Sequence, residues 1–146
     1  MKALFNFTFD KRSLQQFTNK CEATIRNVGA GTKRAAIEAC EDILRDSLAE
    51  VPRKTNTLAS TAYYEVKRRT DVGPKTYAYE GTVGYGKMNK VNPRTRRHVR
   101  GYMVAVHERL DVSHPVGKAK FLEDPVRRYG SKFPRTVYNN IKDSLR

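Results

Sequence analysis

A helical repeat of apolar residues between residues 14 and 48 is the feature that most restricts the fold of this chain. The members of its first part share one face of a helix that Asp10 can cap: Leu14, Phe17, Cys21, Ile25 and Val28. Gly29 and Gly31 then interrupt the repeat and predict the end of that helix. A second helix is predicted from a cap at Thr32 to Pro52, with a stripe of small and apolar residues: Ala36, Ala39, Cys40, Ile43, Leu44, Ser47 and Leu48.

Alternating patterns predict two strands in the middle of the chain. Residues 58–69 place one set of side chains on a common face: Leu58, Ala62, Tyr64 and Val66. Residues 76–85 form a second, tyrosine-rich strand after a turn at residues 71–74, so we expect an antiparallel pair. A further short strand is expected at residues 3–9, with Phe5, Phe7 and Phe9 on one side.

The C-terminal third predicts short elements. Residues 102–108 are compatible with a short strand or a helical turn. Asp124 and Pro125 are a plausible cap and first position of a helix, and Pro134 can begin a final helix whose stripe is Val137, Ile141 and Leu145. The length of 146 residues suits one domain.

The charge is strongly positive, and its distribution is uneven. The chain carries 29 basic and 15 acidic residues, a net charge of +14. Residues 87–146 contribute 15 of the basic and 5 of the acidic side chains, or +10. Such a field attracts nucleic acid or an acidic protein surface.

The basic residues concentrate in a loop predicted at residues 86–101. Arg94, Arg96, Arg97 and Arg100 lie in this segment without an interleaved acid, and long loops of compact domains are usually functional or disordered. Contact with phosphates and docking on an acidic partner are equally compatible with the pattern. A second basic run comprises Lys67, Arg68 and Arg69.

Motifs for catalysis or cofactor binding are weak. A metal-dependent nuclease site would combine Glu108, Asp111 and His114, but their spacing does not match a helical zinc motif. The sequence shows no phosphate-binding loop and no nucleophile motif, so we expect neither a catalytic centre nor a cofactor. Two cysteines, no signal-peptide pattern and no long apolar run favour an intracellular product, although Cys21 and Cys40 can form a disulfide if their two helices pack side by side.

Four short segments, in order, resemble a family of tail-component proteins of tailed phages, also described as tail-completion or neck proteins. The first is V-P-x-x-T-x-x-L at residues 51–58, and the second is a strand ending in V-G at residues 82–84. The third is Y-x-x-x-V-H/E-E, present at residues 102–108 with histidine at its variable position, and the fourth is K-F-L-E at residues 120–123. The family usually has glycine where this chain has Asn56, a residue that tolerates the left-handed conformation. Pro125 also departs from the family and predicts a late start of the last helix.

The resemblance implies a single α+β domain over residues 1–146, with a twisted antiparallel sheet packed against two or three helices and a long basic loop. It implies a structural virion protein of the neck or tail, acting in head–tail joining, tail completion or tail termination, and not an enzyme. Such a protein assembles in the bacterial host cytoplasm as a homo-oligomeric ring, typically a hexamer, without contact with a membrane. Its partners are the portal, the adaptor or connector, the tail tube and packaged double-stranded DNA.

Two groups of residues are predicted to make contacts in this assembly. Contacts between subunits are assigned to Asp42, Asp46, Glu50, Tyr102, His107, Glu108, Phe121 and Leu122. Contacts with DNA or with a partner are assigned to Arg94, Arg96, Arg97, Arg100, Lys67, Arg68 and Arg69. The alternative function is a basic, free-standing module that binds nucleic acid.

Overall fold

The computed structural model describes residues 10–53, 55–73, 76–87, 90–111 and 115–146. Its elements are α1 (Lys11–Glu50), a 3-10 turn (Ala59–Thr61), β1 (Tyr63–Arg68), β2 (Tyr79–Gly84), α2 (Val99–Glu108), α3 (Glu123–Gly130) and α4 (Phe133–Ser144). Helices and an antiparallel strand pair in one chain make an α+β fold, as predicted. The strand predicted at residues 3–9 lies outside the described residues.

A single helix of 40 residues, α1, replaces the two helices predicted before Pro52. The helix continues through Gly29 and Gly31, and each glycine lies where another part of the chain packs closely against the helix backbone. A Cβ atom on Gly29 would lie 2.3 Å from the ring of Tyr77, and one on Gly31 would lie 2.7 Å from the carbonyl oxygen of Asn140 in α4. The glycines therefore let a loop and a second helix approach the α1 backbone, and the helix ends at Glu50, before Pro52.

The two cysteines lie on this one helix, Cys21 exposed and Cys40 buried, and both are free. At about 1.5 Å per residue they are roughly 28 Å apart. A disulfide requires Cα atoms within about 7 Å, so the bridge considered from the sequence cannot form within one chain.

Strands β1 and β2 pair antiparallel, with Tyr64 opposite Val83 and Val66 opposite Gly81. These residues form the sheet face that packs on α1, because the Tyr64 hydroxyl donates to Glu41 and a Cβ on Gly81 would lie 2.6 Å from Cys40 Sγ. Tyr64 and Val66 share a face of β1 as predicted, whereas Leu58 and Ala62 of the predicted face lie outside the strand. The predicted first strand is too long, since residues 59–61 form a 3-10 turn in which Ala62 N–H bonds back to Ala59. The second strand is also shorter than the predicted residues 76–85, since β2 spans Tyr79–Gly84.

The turn before β1 depends on Asn56, which adopts a φ of 55°. That value lies in the left-handed region, which asparagine tolerates better than most residues. Asn56 therefore adopts the left-handed conformation that the sequence predicts it to tolerate.

The main core lies at the C-terminal end of α1. Its buried members come from five parts of the chain: Val51, Leu58, Tyr85, Val99 and Phe121. The rings of Tyr85 and Phe121 meet edge to face, 5.3 Å apart, and the Tyr85 hydroxyl lies 2.7 Å from Ser47 Oγ. The end of α1 is thereby fixed to the strand end and to the segment before α3.

The segment before α3 closes this core through Gly117. Its φ is +86°, and a Cβ there would lie 2.6 Å from the backbone of Glu50, Val51 and Pro52. Lys118 N–H donates to the Glu50 carbonyl at 2.9 Å. Only glycine combines this backbone conformation with so close an approach.

The remaining helices differ from prediction mainly in where they begin. Residues 102–108, predicted as a strand or helical turn, belong to α2, which begins at Val99. Helix α3 begins at Glu123 without a side-chain cap, one residue before the predicted cap Asp124. The final helix forms as predicted, with Pro134 in its first turn. Among the described residues, none of the helices has a stretch long and apolar enough to cross a bilayer.

Candidate assembly and phosphate-binding surfaces

Residues 90–98, here called the basic turn, fold tightly, whereas the sequence predicted an extended loop. Val91 and His98 form an antiparallel bridge that closes the turn. Asn92 organises the tip of the turn through two hydrogen bonds. Its side-chain Oδ1 accepts from the backbone N–H of Arg94 at 3.0 Å, and its backbone N–H donates to the carbonyl oxygen of Arg97 at 2.9 Å.

Three arginines of the basic turn remain available to a ligand. Arg94, Arg96 and Arg97 are exposed, and among the described residues no carboxylate lies within 4.0 Å of their guanidinium groups. Arg100 differs, since it lies in α2 and its Nε donates to the Gly86 carbonyl at 3.1 Å. The turn therefore presents three cations on a rigid hydrogen-bonded frame.

The basic run at residues 67–69 is engaged within the chain. Lys67 pairs with Glu65 at 3.2 Å, and Arg69 donates from Nε to Asp71 at 3.1 Å. Arg68 lies over the Tyr77 ring, 4.7 Å from its centroid. Because β1 alternates its side chains, these neighbouring cations point to different faces and do not form one patch.

An apolar groove of about 300 Å³ lies between the end of the sheet and α2. Its lining comes from β1, β2, α2 and the segment before α3: Tyr63, Val83, Gly84, Tyr85, Met103, Val104, His107, Glu108, Phe121 and Leu122. Val104 is 62% exposed at its edge. The sequence assigned no role to Val104 or Met103, because a groove formed by distant segments leaves no local pattern.

Four of the predicted interface residues meet in this groove: His107, Glu108, Phe121 and Leu122. Phe121 is only 2% exposed, so its side chain belongs to the core and not to a free surface. Glu108 accepts from Lys120 and from His107 Nδ1, and in that order these bonds lower the pKa of its carboxyl group. The side chain of Tyr102 lies outside the described residues.

The acidic interface residues of α1 already have partners within the chain. Arg128 of α3 donates to Glu50 at 2.7 Å and lies 4.0 Å from Asp46, and Arg45 donates to Asp42. Asp46 and Glu50 thus meet an arginine of their own chain, Arg128, whereas the sequence prediction assigned them to arginines of a neighbour. Their assignment to a contact with a neighbouring subunit remains a prediction.

Residues 11–28 of α1, here called the arm, form a further surface. Its apolar stripe is the one predicted from the sequence, but no element of the described chain covers it: Leu14 is 54%, Phe17 66% and Ile25 50% exposed. The flanks are basic, with Lys11, Arg12, Lys20 and Arg26 against a single acid, Glu22.

The residues considered for a metal site do not assemble one within the described structure. Asp111 is paired with Arg109 at 2.7 Å, Glu108 is bound by Lys120, and His114 lies outside the described residues. No group of three potential metal ligands occurs in the part of the chain that the structure describes.

Comparison with known proteins gives no relative. No family model, no curated protein and no solved structure matches this chain.

Proposed function

We propose that this chain is a structural protein of the neck or tail of a tailed phage, which assembles as a ring around the DNA passage. The observation that carries the proposal is the meeting of the four family-like segments. Val51 and Leu58 of the first, Val106 of the third, and Phe121 of the fourth pack together with Tyr85, which directly follows the second. A shared fold requires such segments to form one unit, and in this chain they share one core.

The basic turn supports the DNA-facing part of this proposal. Arginines without carboxylate partners can neutralise phosphates and release counterions, which gives weak binding without sequence preference. A passage for packaged double-stranded DNA needs this kind of contact, since tight binding would hold the DNA in place. The protein partners of such a ring are the portal, the connector and the tail tube.

The location can be tested on phage particles. An antibody against this chain, applied to virions produced by the genome that encodes it, is expected to label the junction of head and tail in negative stain. If purified virions contain no copy of the chain, the proposal is wrong.

The basic turn is tested by the triple substitution Arg94→Glu, Arg96→Glu and Arg97→Glu. We expect the purified variant to keep its circular dichroism spectrum, because these side chains are exposed and unpaired within the described residues, while heads and tails fail to join. A matched control reverses three exposed cations elsewhere: Lys33→Glu, Lys132→Glu and Arg135→Glu. Normal yields of infectious particles from the triple variant would exclude a role of the turn in joining.

The second candidate is a free-standing module that binds nucleic acid, and the same three arginines favour it. The two functions differ in affinity and in dependence on assembly. A module binds duplex DNA as a monomer, and log K falls with log[salt] with a slope of about −0.9 per phosphate neutralised. A neck protein alone is expected to bind duplex DNA feebly, so titrations of the isolated chain separate the two functions.

A further inference from the structure

The apolar stripe of the arm continues the face of α1 that is buried further along the same helix. With 3.6 residues per turn, Leu14, Cys21 and Ile25 lie on the same side of the helix as the buried Ala36 and Ala39. The part of α1 from residue 29 onward packs this face against the sheet, α3 and α4, while the arm extends beyond them. Its aliphatic and aromatic side chains therefore form an exposed apolar surface, the kind that marks interaction sites in proteins.

The arm cannot fill the groove of its own chain. The groove lies beside Ser47, which contacts the groove residue Tyr85 at 2.7 Å. Phe17 and Ser47 lie on one continuous helix, separated by about 45 Å at the usual rise of about 1.5 Å per residue. The convex apolar surface and the concave one thus lie at opposite ends of a rigid element.

We propose that the arm of one copy of this chain packs into the groove of a neighbouring copy. A helix that places anchors at i, i+3, i+7 and i+11 into an apolar groove is an established mode of recognition, and Leu14, Phe17, Cys21 and Ile25 have this spacing. The inference rests on the proposed ring and names the surfaces that build it.

A second copy is the occupant because the chain itself carries both halves of the contact, an exposed apolar stripe on the arm and an apolar groove that this arm cannot reach. Glu108, the carboxylate that lines the groove, is already paired with Lys120 and His107, so the contact is an apolar one. Two different complementary patches on one chain make a head-to-tail contact, and such contacts close into rings when the rotation permits.

The contact is tested with one variant of each surface. Phe17→Glu places a charge on the arm stripe, and Val104→Arg blocks the groove and repels the basic arm. Wild-type chain is expected to form rings larger than a dimer, and either variant alone is expected to be monomeric, with affinity reduced about a hundredfold or more. Native mass spectrometry and light scattering report the size.

Mixing the two variants gives the decisive result. The groove variant retains an intact arm and the arm variant retains an intact groove, so one contact can form and the mixture should stop at a one-to-one dimer. Asn19→Glu is the matched control for the arm, because it places the same charge on the opposite face and should leave assembly intact. Unchanged circular dichroism of each variant shows that the fold persists.

Three results would overturn the contact. These are a groove variant that assembles by itself, a mixture that stays monomeric, and a wild-type chain that stays monomeric at its highest soluble concentration. If the groove variant Val104→Arg still assembles, and if an added oxidant links its copies through the exposed Cys21, the arms pair with each other and not with the groove. If the chain is found at the neck of virions but the arm variant still assembles, the contact is wrong and the proposed function stands. If the two variants form a one-to-one dimer but the chain is absent from virions, the proposed function is wrong and the contact stands.

Discussion

The two halves of α1 follow one helical repeat but use it differently. From residue 29 onward the buried positions of the helix carry small residues, among them Gly31, Ala35 and Ala39. In the arm the same face carries large residues such as Phe17, and it is exposed. Small side chains let backbones approach within one chain, whereas large exposed ones suit a groove. Side-chain size therefore distinguishes residues 29–50 of α1, here called the body half, which pack within the chain, from the exposed arm.

Charge divides the helix at the same place. The arm has four basic residues and one acid, a net +3, while residues 29–50 have three and five, a net −2. Several acids of the second half are held within the chain, as Glu38 is by Asn140 and Glu50 by Arg128. The charges of residues 29–50 thus contribute to packing within the chain, whereas those of the arm are exposed, with Arg26 3.8 Å from Glu22 on the same helix.

The largest effect is expected where the body half ends. Gly117→Ala has two costs. Alanine in a left-handed backbone conformation costs about 1–2 kcal/mol, and the clash of its Cβ with backbone atoms costs about 1–3 kcal/mol. We therefore expect the free energy of unfolding to fall by about 3 kcal/mol. Urea unfolding measures the change in free energy. Gly101→Ala is the control, because its Cβ meets nothing within 4 Å in helix α2 and alanine should stabilise the chain slightly.

A smaller effect is expected from Gly31→Ala, which tests whether close packing distinguishes the body half. Alanine gains about 1 kcal/mol in helix propensity, but its Cβ would lie 2.8 Å from Ile141 Cα and must push α4 away. We expect a net loss of about 1–2 kcal/mol in the free energy of unfolding.

A substitution by alanine in the arm, Asn19→Ala, is the comparison for Gly31→Ala. Asn19→Ala touches no packed element. It gains helix propensity but loses the exposed hydrogen bond from Gln15, so it should stabilise the helix by at most a few tenths of a kcal/mol. If both substitutions stabilise the chain, the two halves do not differ in packing.

How much the sequence predicts depends on whether the cause is local. The antiparallel strand pair, the shared face of Tyr64 and Val66, the final helix and the left-handed Asn56 follow from alternation and backbone preference, and they are confirmed. The role of Gly29 and Gly31 could not be predicted, because a glycine that ends a helix and one that admits Tyr77 or α4 look alike in sequence. Gly117 and the groove depend on residues far apart in the chain.

The candidate surfaces show the same limit. The unpaired arginines of the basic turn were predicted from their number and the lack of nearby acids. The engagement of Lys67 and Arg69 was missed, because it depends on the neighbours Glu65 and Asp71 in strand and turn geometry. The arm stripe was recognised, but its exposure follows only from where the other helices end.

A comparable but smaller loss is expected inside the body half when a hydrogen bond is removed. Tyr85→Phe leaves Ser47 without its partner in a buried site and should cost about 1 kcal/mol. A double-mutant cycle with Ser47→Ala measures the coupling between the two hydroxyl groups. The double variant should be less destabilised than the sum of the single ones, and strict additivity would show that the hydroxyls do not interact.

The smallest effect concerns the free end of the arm and its dependence on pH. Asp10 caps α1 by accepting from Ser13 N–H at 3.1 Å, and the backbone N–H groups of Ser13 and Arg12 lower the pKa of its carboxyl group. Because the folded pKa is depressed, the cap stabilises the helix fully above the unfolded value of about 3.9, and this contribution is lost as the pH falls through the folded value. Amide exchange between about pH 6 and pH 2 should therefore show Ser13 and Leu14, whose backbone N–H groups bond to Asp10, opening at acidic pH before residues 36–47 do. Asp10→Asn keeps a capping oxygen that does not titrate. That variant should lose the pH dependence at the tip of the arm, and an unchanged acid transition there would assign it to another group.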